Sequence, residues 1–179
     1  VRRFLLPVLL LAACAPAEHA DTLSGSPSFR ARTLAVAATR GSRGKGVEIS
    51  RELVKRLDSA GLTASALEES DSVLAGSALG LEAAANPRLL DEIRRATGAD
   101  AIVFLSLDPS WRALEISAVD ARTGDAVLRS VAHPRGDAFA SSAEIADAAA
   151  RALSPLAAEH RAPKATHADD PTTDDLPLP

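Results

Sequence analysis

Between residues 33 and 158 the chain alternates short apolar runs with stretches of helical periodicity. Residues 33–39 (TLAVAAT) are an apolar run bounded by turn-forming residues, which predicts a buried strand. Ile49, Leu53, Val54 and Leu57 then recur at helical spacing, with Arg51, Glu52, Lys55, Arg56 and Asp58 on the other side. That is an amphipathic helix, with Gly61 as its stop. Residues 62–67 predict a weaker second strand. Residues 70–81 fit neither period, although Ser70 or Asp71 suits the cap of a short helix. Asn86-Pro87 opens the next helix with proline at its first position. Leu89, Leu90 and Ile93 form its buried stripe, and Gly98 ends it. Residues 101–105 (AIVFL) are apolar without interruption, as in a central strand covered on both faces. Leu114, Ile116 and Ala118 then alternate with Ala113, Glu115 and Ser117, the period of a half-exposed strand. A turn at residues 120–125 (DARTGD) returns the chain through residues 127–132. A final helix over residues 141–158 carries Ile145, Ala149, Leu153 and Leu156 on one face, and Pro155 should bend or break its end. The order β–α–β–α–α–β–β–β–α predicts an α/β fold. Its mixed sheet has about five strands, three joined by helical crossovers and the rest an antiparallel meander, flanked by helices.

The two ends of the chain follow no such pattern. Phe4 to Ala13 is an apolar run of about ten residues after Arg2 and Arg3, too short to span a membrane at ~20 residues but suited to the core of a signal peptide. It closes on Leu11, Ala12, Ala13 and Cys14, which resembles the bacterial lipobox: an aliphatic residue, two small residues and the cysteine that is lipidated before cleavage. The expected organisation is a lipoprotein signal peptide over residues 1–13 and a lipidated tether over 14–31. The α/β domain follows over 32–158, then a disordered acidic, proline-rich tail over 159–179. By resemblance to proteobacterial lipoproteins, Ala15 after the cysteine favours the outer membrane over the inner one, with the domain on the periplasmic face.

Composition narrows the chemistry. Hydrophobic residues make up 46% of the chain but aromatics only 3%, so the core must be built mainly from Ala, Leu, Val and Ile. Losing Arg2 and Arg3 with the leader reduces 20 Lys+Arg to 18 against 24 Asp+Glu, a net charge near −6. An acidic domain with few stacking residues is not expected to bind nucleic acid. Its overall charge gives no support to polybasic attraction to anionic lipid either. A single cysteine excludes an internal disulfide and a Cys-based zinc site.

The candidate sites each have a structural reading beside the functional one. Residues 41–46 (GSRGKG) lie between a strand and a helix, where backbone N–H groups can cradle an anion. A P-loop, however, needs Gly and Ser/Thr where Thr39 and Gly46 stand, so a solvated loop is expected. His19, His133, His160 and His167 have no metal-ligand spacing, and no metal or other cofactor is expected. The serines lack a G-x-S-x-G elbow, and Ser141 with Glu144 reads as a capping box. No catalytic constellation is visible, and the chain is not expected to be an enzyme. Trp111 and Arg112 begin the meander, where the indole either covers a sheet end or, with Arg112, anchors a partner.

The segments LAVAAT, ISRELVKRLDSAGLTASALEES, IRRATGADAIVFLSL and LEISAVDARTGDAVLRS resemble the TolB amino-terminal-domain and CsgG-like family of periplasmic lipoproteins. The most specific pieces are Thr97-Gly98-Ala99-Asp100 before the central strand and the D-x-x-T-G turn from Asp120 to Gly124. The resemblance implies the fold. The β-propeller of TolB has no room here, and the barrel-forming hairpins of the curli channel are not visible. A lone domain on a lipid anchor implies an interaction or scaffolding module of the bacterial cell envelope, binding a protein partner. The alternatives are an accessory subunit of an outer-membrane secretion or transport complex, forming a ring through its sheet edges, and a small envelope hydrolase. The sequence leaves the oligomeric state open.

Overall fold

The computed structural model describes residues 20–25, 28–67 and 80–157. Strands β1 (Ala20–Gly25) and β2 (Thr33–Val36) precede helix α1 (Gly46–Ser59) and strand β3 (Thr63–Ala66). A 3-10 turn (Leu81–Ala85) leads into helix α2 (Pro87–Thr97) and strand β4 (Ala101–Leu107). The hairpin strands β5 (Leu114–Asp120) and β6 (Ala126–Ala132) follow, and helix α3 (Ser142–Leu153) closes the domain. All six strands form one mixed sheet in the order β1-β6-β5-β4-β2-β3. β2 is parallel to β3 and β4, and the β4-β5-β6-β1 half is antiparallel throughout.

The sheet is an apolar layer with helices on both faces. Leu34, Val36, Val103, Leu105 and Ile116 point to one side, where they pack with Ile49, Leu53 and Leu57 of α1 and Ile145, Ala149 and Leu153 of α3. Ala35, Ile102, Phe104 and Val119 point to the other, against Leu90 and Ile93 of α2. β4 thus feeds both cores, as its unbroken apolarity requires: Ala101 to Leu105 are all buried. Aliphatic residues and Ala dominate both cores, with Phe104 and Phe139 added.

Local signals set the boundaries. The Asn86 side chain accepts the Leu89 N–H at the start of α2, where Pro87 needs no donor. Ser141 Oγ accepts the Glu144 N–H, and Glu144 reaches back to the Ala140 N–H, close to the expected capping box. At the hairpin, Asp120 Oδ1 accepts from the N–H groups of Arg122 and Thr123, and Gly124 takes φ +77°. A side chain there would meet Ala84 O at 2.6 Å, so the turn is pressed against the 3-10 segment. Asp100 of the T-G-A-D segment accepts the Arg32 and Thr33 N–H groups and ties the entry of β2 to that of β4.

Two expectations are corrected, and a third, the break at Pro155, is met. The tether does not run to residue 31: Ala20–Gly25 pairs antiparallel with β6, and Ala31 is fully buried and bridges Ala157. An edge strand is held by backbone hydrogen bonds along one side, so it needs no alternating pattern for sequence reading to find. The strand expected at 33–39 ends at Val36, although the chain beyond it stays beside β4 through the Ala37 N–H to Val103 O and Arg40 N–H to Leu105 O bonds. The last helix stops at Leu153 and passes through a 3-10 turn at Ser154–Leu156, because Pro155 cannot continue the α-helical ladder. The lipobox, Cys14 and the tail from 159 lie outside the described residues, as do residues 68–79 of the ambiguous segment. Among the described residues no helix is long and apolar enough to cross a membrane.

Candidate functional site

Two loops separated in sequence meet where the parallel strands β2 and β4 end. The first, residues 37–46, leaves β2 and enters α1. It is not the freely solvated loop that its composition suggests. Ser42 is buried and donates its hydroxyl to Thr39 O, and the Lys45 N–H returns to Ser42 O. Gly41 lies so close to β4 that an added Cβ would stand 2.0 Å from Leu107 O. Its charged side chains Arg40, Arg43 and Lys45 are exposed, as are Gly41 and Gly44.

The second loop, residues 108–113, joins β4 to β5 and is organised by one carboxylate. Asp108 accepts the Ser110, Arg112 and Ala113 N–H groups and the Ser110 hydroxyl. These donors favour the ionised form, above all the Ser110 hydroxyl, and hold its pKa near about 2 instead of 3.8. The resulting turn places Trp111 at φ +62°. Its ring packs on the edge of the α1/α3 core and is half-buried, so covering the sheet end is the role its packing supports. The indole Nε1 is buried with no hydrogen-bond partner among the described residues. Arg112 beside it is exposed.

Contacts join the loops into one surface. Arg43 donates to Pro109 O at 2.6 Å, and Lys45 Nζ stands 6.0 Å from the centre of the Trp111 ring. His133 Nδ1 lies 3.1 Å from Arg112 O, and the Phe139 N–H donates to Trp111 O, which adds the segment between β6 and α3. Sequence reading treated the GSRGKG segment and the Trp111-Arg112 pair as unrelated, and the fold brings them together.

Because the Asp108 pKa is depressed, its contribution is full above the ordinary carboxylate value near 3.8 and disappears as pH falls through about 2. Trp111 emission should therefore hold its neutral-pH position down to about pH 4 and move between about pH 4 and 2. Asp108→Asn should red-shift that emission at neutral pH while far-ultraviolet circular dichroism stays unchanged. An unaltered emission spectrum in this variant would show that the carboxylate does not hold the loop.

A second feature is a cleft of about 210 Å³ on the α2 side of the sheet. It is lined by Arg40, Gly80, Glu82, Ser106, Glu115 and Ser117 over the ring of Phe104. Arg40 and Glu82 close one side through a 2.7 Å ion pair, with both side chains about half exposed or more. This volume is below the ~300 Å³ of ordinary small-molecule pockets and suits a ligand of only a few heavy atoms. Among the described residues no group of three or more His, Cys, Asp or Glu is placed to hold a metal ion.

No protein-family model and no curated protein matches this sequence. Its fold is similar to that of PelC from Paraburkholderia phytofirmans, solved as a dodecamer. One crystal form has a TM-score of 0.55 and another, of a single-substitution variant, 0.54. Each superposition covers 79% of this chain and 99% of the PelC chain, at 16% sequence identity.

Proposed function

We propose that this chain is a lipid-anchored module of the bacterial cell envelope whose first partner is another copy of itself. In this reading, copies stand side by side in a ring on the periplasmic face of the outer membrane and form an accessory part of a secretion or transport assembly. The observation that carries it is the likeness to PelC: the shared fold spans 99% of a chain that is itself the protomer of a dodecamer. The sheet supports the same reading. Among the described residues its outermost strands are β1 and β3, so two different edges face outward on opposite sides of the domain. Contacts between unlike edges of successive copies are head-to-tail, and such contacts close into rings when the rotation permits. The short edge at Thr63–Ala66 has no charged residue of its own, and the Asp58 carboxylate takes only its Ala64 N–H.

Native mass spectrometry of the detergent-solubilised, lipidated protein tests this directly. The expected result is one discrete multiple of the protomer, lost when Ala66→Pro removes an outward-facing donor from the β3 edge. A stable monomer at micromolar concentration would rule out the ring. Crosslinked pull-down from envelope would then identify a different protein partner. Intact mass of the same sample reports whether Cys14 carries lipid.

A further inference from the structure

We infer that the cleft between Arg40 and Glu115 binds a small zwitterion with the size and charge pattern of a free α-amino acid such as glycine or alanine. The ligand's carboxylate lies on the Arg40 guanidinium, and its ammonium group lies on Glu115, Ser106 and Ser117. The site belongs to one copy of the chain and does not depend on assembly.

The register of the sheet sets out the polar groups. Arg40 bridges Ser106 on one side of β4, and Ser106 pairs with Glu115 of β5 on the other. Paired residues point to the same face, so a guanidinium, a hydroxyl and a carboxylate stand in one row across neighbouring backbones. Neighbouring strands are about 4.8 Å apart, which puts the Arg40 and Glu115 backbones about 10 Å apart. Ser117 is two residues along from Glu115, so it shares this face, opposite Phe104. The cleft of about 210 Å³ lies over this row and is lined by all of these side chains.

Two long side chains of opposite charge at that spacing can close on each other, and here they are kept apart. Glu82 takes the Arg40 guanidinium at 2.7 Å, and the pair lies against Gly80, where an added Cβ would stand 2.0 Å from Arg40 Nη1. Gly80 has φ −112°, which any residue adopts, so the glycine provides space and not a special backbone conformation. Among the described residues Glu115 has no ion-pair partner, and the Ser106 and Ser117 hydroxyls have no hydrogen-bond partner. Arg129, opposite Ser117 on β6, makes no ion pair with Glu115 either. These unsatisfied groups define the ligand. A primary ammonium carries three donors, and one carboxylate and two hydroxyls accept them at one end of the cleft. Arg40 keeps N–H groups beyond the one given to Glu82, and these take a carboxylate at the other end. A ligand with one charge leaves one end unmatched, and one much larger than about six heavy atoms does not fit.

The test is a titration of the isotope-labelled full chain in detergent with L-alanine, read by amide chemical shifts. We expect saturable shifts centred on Arg40, Gly80, Ser106, Glu115 and Ser117. The dissociation constant should be about a millimolar, well within what about six heavy atoms can supply. Ethylamine and propionate each keep one charge of alanine and should bind about tenfold more weakly, the factor that one hydrogen bond to a charged group contributes. Glu115→Gln, an exposed change that keeps the side chain's shape, should weaken L-alanine about tenfold. Gly80→Ala should weaken it as well: the methyl group pushes away the mobile ends of Arg40 and Glu82, which leaves the fold intact and frees Arg40 to close on Glu115. No saturable shift at these residues, or equal affinity in Glu115→Gln, would overturn the inference. Ethylamine or propionate binding as tightly as L-alanine would overturn it too, because the site would then read one charge only.

Discussion

Gly41→Ala is expected to destabilise the domain by about 2–6 kcal/mol, since left-handed strain and overpacking each cost about 1–3 kcal/mol. Gly41 takes φ +72°, where an L side chain is strained in any surroundings. The Arg40 carbonyl beside it accepts the Leu107 N–H, which fixes this segment against β4. The methyl group would arrive 2.0 Å from Leu107 O, a backbone atom that cannot swing aside. Gly44→Ala is the internal comparison. Its φ is +86°, yet nothing lies within 4 Å of the position a Cβ would occupy. Only the strain then applies, and the cost should be about 1–2 kcal/mol. Urea unfolding of both variants measures the difference. Equal midpoints would mean that the loop moves away from β4 at little cost, and the surface built on it would then be pliable.

Leu53→Ala should cost about 2–5 kcal/mol, the range found when a buried leucine is cut back and its surroundings relax only in part. Leu53 has no exposed surface and belongs to the core between the sheet, α1 and α3. Collapse into the cavity is restricted, because α1 is also tied to α3 through Arg56, which donates to both Asp147 and Glu52. The small neighbours Ala146 and Ala149 have no reach with which to refill the space. Lys55→Ala on the exposed side of the same helix loses an ion pair with Glu52 and should change stability by less than about 0.5 kcal/mol. Thermal or urea unfolding separates the two. A Leu53→Ala variant as stable as the parent would show that α1 is not packed as described.

Much of the fold was legible because its signals are local. The stripe of Ile49, Leu53 and Leu57, the Asn86-Pro87 start, the Ser141 cap and the D-x-x-T-G turn each act within a few residues of where they are written. The unbroken run of residues 101–105 announces a strand buried on both faces wherever it is placed. Even the bend at Pro155 follows from one missing N–H.

What only the tertiary structure decided was what lies beside what. β1 is invisible in the sequence because its partner, β6, supplies the hydrogen bonds that define it, more than a hundred residues away. The compact GSRGKG loop is equally hidden, since its shape comes from contact with Leu107 and Pro109 on another strand end. Arg43 and Pro109 come from different loops and meet only because the parallel strands β2 and β4 end on the same side of the sheet. Periodicity records which side of its own element a residue faces. Which loops meet depends on how the elements are arranged, and that is set by packing over the whole sheet.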